Sequence, residues 1–175
     1  MIRNVIATAD LNQKVDIPKF IEYPWGIYNL QYYRGRCGYV KDKTIEGKVT
    51  VFLSGKMIST GAASVQGSIS QLEKAMILLV KNGFIKKVKL IPKIENIVAT
   101  LNVHTRIDLN EVAKVVPKIT YEPDQFTAAI IRMAEGPVCL LFDSGKIVIV
   151  GSKSEIALEE VAARIRKILK PFYIK

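Results

Sequence analysis

The sequence is short of the residues that build metal centres, disulfide frameworks and nucleophilic triads. It holds one histidine, His104, and two cysteines, Cys37 and Cys139, among 175 residues. The cysteines are far apart and have no CxxC neighbour, which reads as two reduced packing thiols in an intracellular protein. A lone histidine in a loop-like stretch reads as surface. Gly61 and Gly151 precede helical stretches but form no GxxxxGK[ST] phosphate loop. No carboxylate pair has a spacing suited to acid–base work, so neither catalysis nor a cofactor or metal is expected. Long apolar runs are also lacking. The longest strictly apolar run, Ala75 to Val80, has six residues, against the roughly 20 that span a bilayer. Met1-Ile2-Arg3-Asn4 enters a strand-like stretch directly, without the charged head and apolar segment of a signal peptide. No membrane partner is expected.

Acidic residues are outnumbered. There are 26 Lys and Arg against 16 Asp and Glu, for a net charge of +10 and a pI near 9.6. That balance favours a polyanion, chiefly nucleic acid or an anionic surface. It is uneven: residues 1–90 carry 14 basic and 6 acidic residues, net +8, and residues 91–175 carry 12 and 10, net +2.

What is present is a duplication. Ile2-Arg3-Asn4-Val5-Ile6-Ala7-Thr8 is echoed by Ile94-Glu95-Asn96-Ile97-Val98-Ala99-Thr100, 92 residues later. Ser54-Gly55-Lys56-Met57-Ile58-Ser59-Thr60-Gly61 is echoed by Ser144-Gly145-Lys146-Ile147-Val148-Ile149-Val150-Gly151, 90 residues later. Tyr28 and Tyr33 match Tyr121 and Phe126 at an offset of 93. Solenoids need at least three short repeats, so two long ones, 1–90 and 91–175, indicate a pseudo-symmetric pair.

Each repeat reads as a strand, a short helix, several strands and a long helix. The strands are Asn4–Thr8 and Asn96–Thr100, rich in β-branched residues. Short helices are expected at Ile17–Ile21 behind Asp16 and Leu109–Val115 behind Asp108, with each aspartate as N-cap. Hairpins are expected at Ser54-Gly55 and Ser144-Gly145, between strands Val49–Leu53 and Met57–Thr60, and Val138–Phe142 and Ile147–Val150. The long helices start after Ser64 and Ser154; Asn82-Gly83 stops the first and Pro171 the second. Their apolar stripes read as core.

The anomaly is the sheet. Val5, Ala7, Val49, Val51 and Met57 share the parity of a core face. The opposite parity is apolar too, with Ile6, Phe52 and Ile58 beside Asn4, Thr8, Thr50 and Thr60. The second repeat has Val98, Leu140, Phe142, Val148 and Val150 beside Asn96 and Thr100. Two helices per repeat cover one face only, so the other is an uncovered apolar surface that marks a binding site. A homodimer interface or an unseen second layer would leave the same pattern. The chemistry fits a DNA minor groove, where apolar contact and a few amides and hydroxyls distinguish A·T from G·C. Lys56 and Lys146 follow the hairpin turns and could reach phosphate.

These blocks together, Asn-x-[Val/Ile]-Ala-Thr and Phe-x-Ser-Gly-Lys-[Met/Ile]-[Ile/Val]-x-x-Gly in both repeats and Tyr121-Glu122-Pro123-Asp124-Gln125-Phe126, resemble the two-repeat core of the TATA-box-binding protein family. The resemblance covers nearly the whole chain. It implies an α+β, pseudo-symmetric saddle: a curved ten-stranded antiparallel sheet with four helices on the convex side. The two repeats then form one continuous DNA-binding domain. It implies a general transcription initiation factor, not an enzyme, that binds and bends A·T-rich duplex DNA at the TATA box. Minor-groove wedging and the large kink are this family's known mode and belong to the resemblance. The matching wedges are Phe126 with Phe142 and Tyr33 with Phe52. Matching minor-groove contacts are Asn4, Ile6, Ile58, Thr60, Asn96, Val98, Leu140, Val148 and Val150. Matching phosphate contacts are Ser54, Lys56, Arg132, Ser144 and Lys146. Glu122 and Asp124 match the acidic loop that meets transcription factor B, which brings RNA polymerase indirectly. The compact chain implies an archaeal source and a cytoplasmic, nucleoid-associated location, or a nuclear one if eukaryotic.

Departures gather in the first repeat. Tyr33 stands for Phe, Thr50 for a groove-lining leucine, Leu30 for the loop proline, and Tyr39 for the arginine matching Arg132. Arg34-Gly35-Arg36 adds charge. In the second repeat Val150 replaces the threonine matching Thr60, and the basic balance contrasts with the often acidic archaeal members. A divergent paralogue is one alternative, acting as a regulatory or interaction module that uses the concave face for self-association or inhibitor binding. A nucleic-acid enzyme's accessory domain is another.

Overall fold

The structure, a computed structural model, describes residues 1–134 and 136–174. The chain divides into two compact units: Asn4–Glu95, and Met1–Arg3 with Asn96–Lys175. Below these are the first and second unit.

In the first unit the strands are β1 (Ile2–Asp10), β2 (Gly26–Tyr28), β3 (Cys37–Val40), β4 (Lys48–Phe52) and β5 (Lys56–Ala62). They form antiparallel pairs in the order β2-β3-β4-β5-β1. Helix α1 (Val65–Lys81) packs on β4 and β5. Its N-cap Ser64 accepts the Gly67 N–H, and Gly83, at φ +76°, ends it. Beneath α1, Val5, Ala7, Val49, Val51, Met57, Leu72 and Leu79 are fully buried.

The expected helix at Ile17–Ile21 is a 3-10 turn, Ile17–Glu22, rather than an α-helix, and Asp16 does not cap it. Pro18 opens this turn and supplies no N–H for a cap to accept; the Asp16 carboxylate instead pairs with Lys19 at 3.0 Å. The turn is held from below. Phe20 meets Trp25 and Phe84 edge-on at 5.3 and 5.2 Å, and Tyr23 stacks on Trp25 at 5.1 Å.

The second unit repeats the plan with β6 (Lys93–Asn102), α2 (Leu109–Val115), β8 (Ile119–Thr120), β9 (Ala129–Arg132), β10 (Val138–Leu141), β11 (Lys146–Ser152) and α3 (Glu155–Leu169); between β6 and α2 lies β7 (Arg106–Ile107). The sheet order is β6-β11-β10-β9-β8. The short β7 pairs with β12 (Tyr173–Ile174). Here the aspartate does cap: Asp108 Oδ1 accepts the N–H groups of Asn110 and Glu111, both at 3.1 Å. Pro171 lies in a 3-10 turn that follows α3 directly.

The duplication is visible at single-residue level. The sequence of buried, half-buried and exposed residues over 51–60 recurs without change over 141–150. Gly55 and Gly145 turn the two hairpins at φ +92° and +83°. Cys37 and Cys139 are both buried free thiols, and burial pushes Cys139 up to about 11.

Candidate nucleic-acid interface

Alternation along β1 and β5 sends Ile6, Ile58 and Thr60 to the face away from α1, where each is half-buried. Phe52, at the end of β4, stands on the same face. In the second unit Val98, Leu140, Val148, Val150 and Phe142 hold the equivalent half-buried positions. Both faces are therefore apolar on the side that α1 and α3 leave open. On the first unit a cleft of about 570 Å³ opens among Thr8, Phe52, Ser54, Lys56, Ile58 and Lys93.

The polar groups on these faces are fixed in place. Strand β5 carries a bulge opposite β1, between the pairs Val5–Ala62 and Ala7–Ser59. Gly61 occupies it at φ +89°, a conformation that side chains other than glycine's resist. The Gly61 N–H leaves the ladder and donates to Asn4 Oδ1 at 2.8 Å. The second unit does the same: Gly151, at φ +103° in the β11 bulge, donates its N–H to Asn96 Oδ1 at 2.8 Å. A backbone N–H can only donate, so the amide oxygen must face it and Nδ2 points away. Neither Nδ2 has a protein partner among the described residues. Each unit thus presents a fixed hydrogen-bond donor beside an apolar floor, which suits a groove whose A·T pairs offer only acceptors. The asparagines are legible in the sequence; the bulge glycines that orient them are not, although the Gly61 and Gly151 match is the trace they leave.

At the wedge positions, Tyr33 is 70% exposed and Phe126 is 45% exposed. The Tyr33 and Phe52 rings meet edge to face at 6.1 Å. Phe126 and Phe142 have no such contact among the described residues. Phe142 instead lies under Lys146, whose Nζ is 5.8 Å from the ring centroid. Ser54, Lys56, Arg132, Ser144 and Lys146 are all exposed. Glu122 and Asp124 are exposed in the loop before Phe126, where the Glu122 carbonyl accepts the N–H groups of Gln125 and Phe126.

Thr50 holds the position of Leu140 on the open face, recessed to 9% exposure because its cross-strand partners Tyr39 and Ile58 flank it with larger side chains. One reading from the sequence needs correction: Tyr39 is not the counterpart of Arg132. Tyr39 pairs with Thr50 as Ile130 pairs with Leu140, and both are half-buried. Continuing the strand, buried Val40 matches Ile131 and exposed Lys41 matches Arg132. The basic residue is kept, as lysine. The first unit has two extra residues between Tyr33 and Tyr39, taken up by a turn in which Tyr33, Arg34 and Gly35 all have positive φ, at 46°, 55° and 73°. Lys48 Nζ stands 4.3 Å over the Tyr39 ring and adds a cation close by.

Among the described residues no group of histidine, cysteine, aspartate and glutamate could hold a metal ion, and no helix is long and apolar enough to cross a membrane.

Comparison with known proteins identifies the family. The family model described as "Transcription factor TFIID (or TATA-binding protein, TBP)" matches residues 1–82 and again 91–172. The chain is 41% identical over 151 residues to a TATA-box-binding protein of Cenarchaeum symbiosum, covering 86% of this chain and 83% of that one. It is 36% identical over 172 residues to that of Pyrodictium occultum, covering 97% and 85%. The solved structure of Methanococcus jannaschii TBP superposes with a TM-score of 0.86 at 26% identity, covering 97% of both chains. The fold is therefore that family's α+β fold, with ten antiparallel strands in the two sheet orders given above. Two family matches, one per repeat, place the chain in the TATA-box-binding protein family of DNA-binding transcription factors, which are not enzymes.

Proposed function

We propose that the chain binds A·T-rich, TATA-box promoter DNA through the minor groove, bends it, and recruits transcription factor B and through it RNA polymerase. The observation that carries this reading is the repeated pairing of an apolar face with a fixed amide donor, Asn4 in one unit and Asn96 in the other. In this reading the two repeats act as one continuous domain. Tyr33 with Phe52 and Phe126 with Phe142 wedge between base steps. Lys41, Lys56, Arg132 and Lys146 meet phosphates, and Glu122 and Asp124 meet transcription factor B. The relatives' archaeal origin favours action in the cytoplasm, on the nucleoid.

The test is a fluorescence bending assay on end-labelled TATA and scrambled duplexes, with and without transcription factor B. Bending of the TATA duplex alone, lost in the Phe126→Ala/Phe142→Ala variant and stabilised by transcription factor B, supports the proposal. A variant that still binds DNA but no longer self-associates would favour an interaction module instead.

A further inference from the structure

Thr8 and Thr100 are equivalent residues, 92 apart, each half-buried on the open face two positions beyond Ile6 and Val98. Their hydroxyls are held in opposite senses. Thr8 Oγ1 donates to Glu95 Oε1 at 3.1 Å, and Thr100 Oγ1 accepts from Arg3 Nε at 2.8 Å. The partners are themselves equivalent, since Arg3 precedes Asn4 and Glu95 precedes Asn96. A carboxylate can only accept and a guanidinium can only donate, so the partners' chemistry sets the polarity. Lys93 Nζ, 3.0 Å from the same Glu95 oxygen, helps to hold that carboxylate in place.

A hydroxyl has one proton. Thr8 has committed its proton and can offer the groove only lone pairs. Thr100 keeps its proton and can donate. In the minor groove A·T pairs present acceptors alone, whereas G·C adds the guanine amino donor. Building on the groove-binding function proposed above, we infer that Thr8 and Thr100 make the chain a polar reader: A·T is required beneath Thr100, while G·C is accepted beneath Thr8. One charge exchange between repeats, Arg3 against Glu95, gives a pseudo-symmetric protein a preferred orientation on its site.

The experiment measures affinity for a TATA duplex and for the set of duplexes in which each A·T pair in turn becomes G·C. The wild-type chain is expected to show one position where the change costs less than about twofold, and one where it costs about tenfold or more, the usual loss for a mispaired groove contact. Thr8→Val should raise the penalty at the tolerant position, because the lone pairs that accept the guanine amino group are gone. Thr100→Val should weaken TATA binding about tenfold. The charge-exchanged double variant, Arg3→Glu with Glu95→Arg, keeps net charge constant and should interchange the two positions. Circular dichroism confirms that each variant is folded. Equal wild-type penalties at both positions, or a double variant with the wild-type profile, overturn the inference and leave groove binding intact. A wild-type chain that binds none of the duplexes overturns both.

Discussion

The Gly61 N–H donates to Asn4 Oδ1 at 2.8 Å, and this one bond turns the asparagine into an outward donor. The pair repeats at Gly151 and Asn96, also at 2.8 Å. A main-chain bulge therefore fixes the polarity of a side chain on the open face of the sheet. Without that bond the amide could rotate and offer its oxygen, which the A·T minor groove would repel.

Replacing that donor should cost binding and not folding. Asn4→Asp retains an oxygen for Gly61 but presents an anion outward. Affinity for an A·T duplex should fall by about tenfold or more, with little change in melting temperature. Asn4→Ala also leaves the Gly61 N–H without its partner, costing about 0.5–1.5 kcal/mol of stability. Titration and thermal melts on the same samples separate the two effects; equal melting losses in both variants would contradict the assignment.

The bulge glycines should differ in their tolerance. A Cβ on Gly61 would come within 2.9 Å of Gly47 Cα, while one on Gly151 meets nothing closer than Pro137 Cα at 3.4 Å. Both substitutions carry the strain of positive φ, about 1–2 kcal/mol. Gly61→Ala should be the more destabilising by about a further 1 kcal/mol, because only it has a clash to relieve. Denaturant unfolding of the two variants measures the difference.

Tyr33→Phe should tighten DNA binding. Tyr33 is 70% exposed; insertion between bases would take its hydroxyl out of water without a base partner in return. A gain of about threefold to tenfold is expected in equilibrium binding, with stability unchanged. Weaker binding would mean that the hydroxyl finds a partner on DNA.

Lys41→Ala and Arg132→Ala should act alike. Register makes them counterparts at the ends of β3 and β9. Each substitution should lower the slope of log affinity against log salt by about one, and weaken binding to all sequences equally. If only Arg132→Ala does so, Lys41 is not a phosphate contact.

The repeat, the element order and the two-sided apolar sheet were legible because alternation and duplication leave direct marks in sequence. Ile6, Ile58, Val98 and Val148 could be placed by parity alone. Tyr39 was misassigned because the 93-residue offset of Tyr28 and Tyr33 does not persist into β3. The two-residue difference sits in the Tyr33–Gly35 turn, where no periodic signal exists to reveal it. Asp16 looked like Asp108, but Pro18 removes a donor that a cap would need. The opposed polarities of Thr8 and Thr100 depend on cross-strand neighbours nearly 90 or more residues away in the chain, which no local pattern encodes.

If the chain reads DNA from the minor groove as proposed, the chemistry of the major groove should not matter to its affinity. Replacing every A·T pair of a TATA duplex by inosine–cytosine leaves the minor groove like A·T and makes the major groove resemble G·C, because inosine lacks the guanine amino group. Affinity for the inosine duplex should stay within about threefold of the TATA duplex, while the G·C duplex loses about a hundredfold or more. An inosine duplex bound as weakly as the G·C duplex would contradict the proposal.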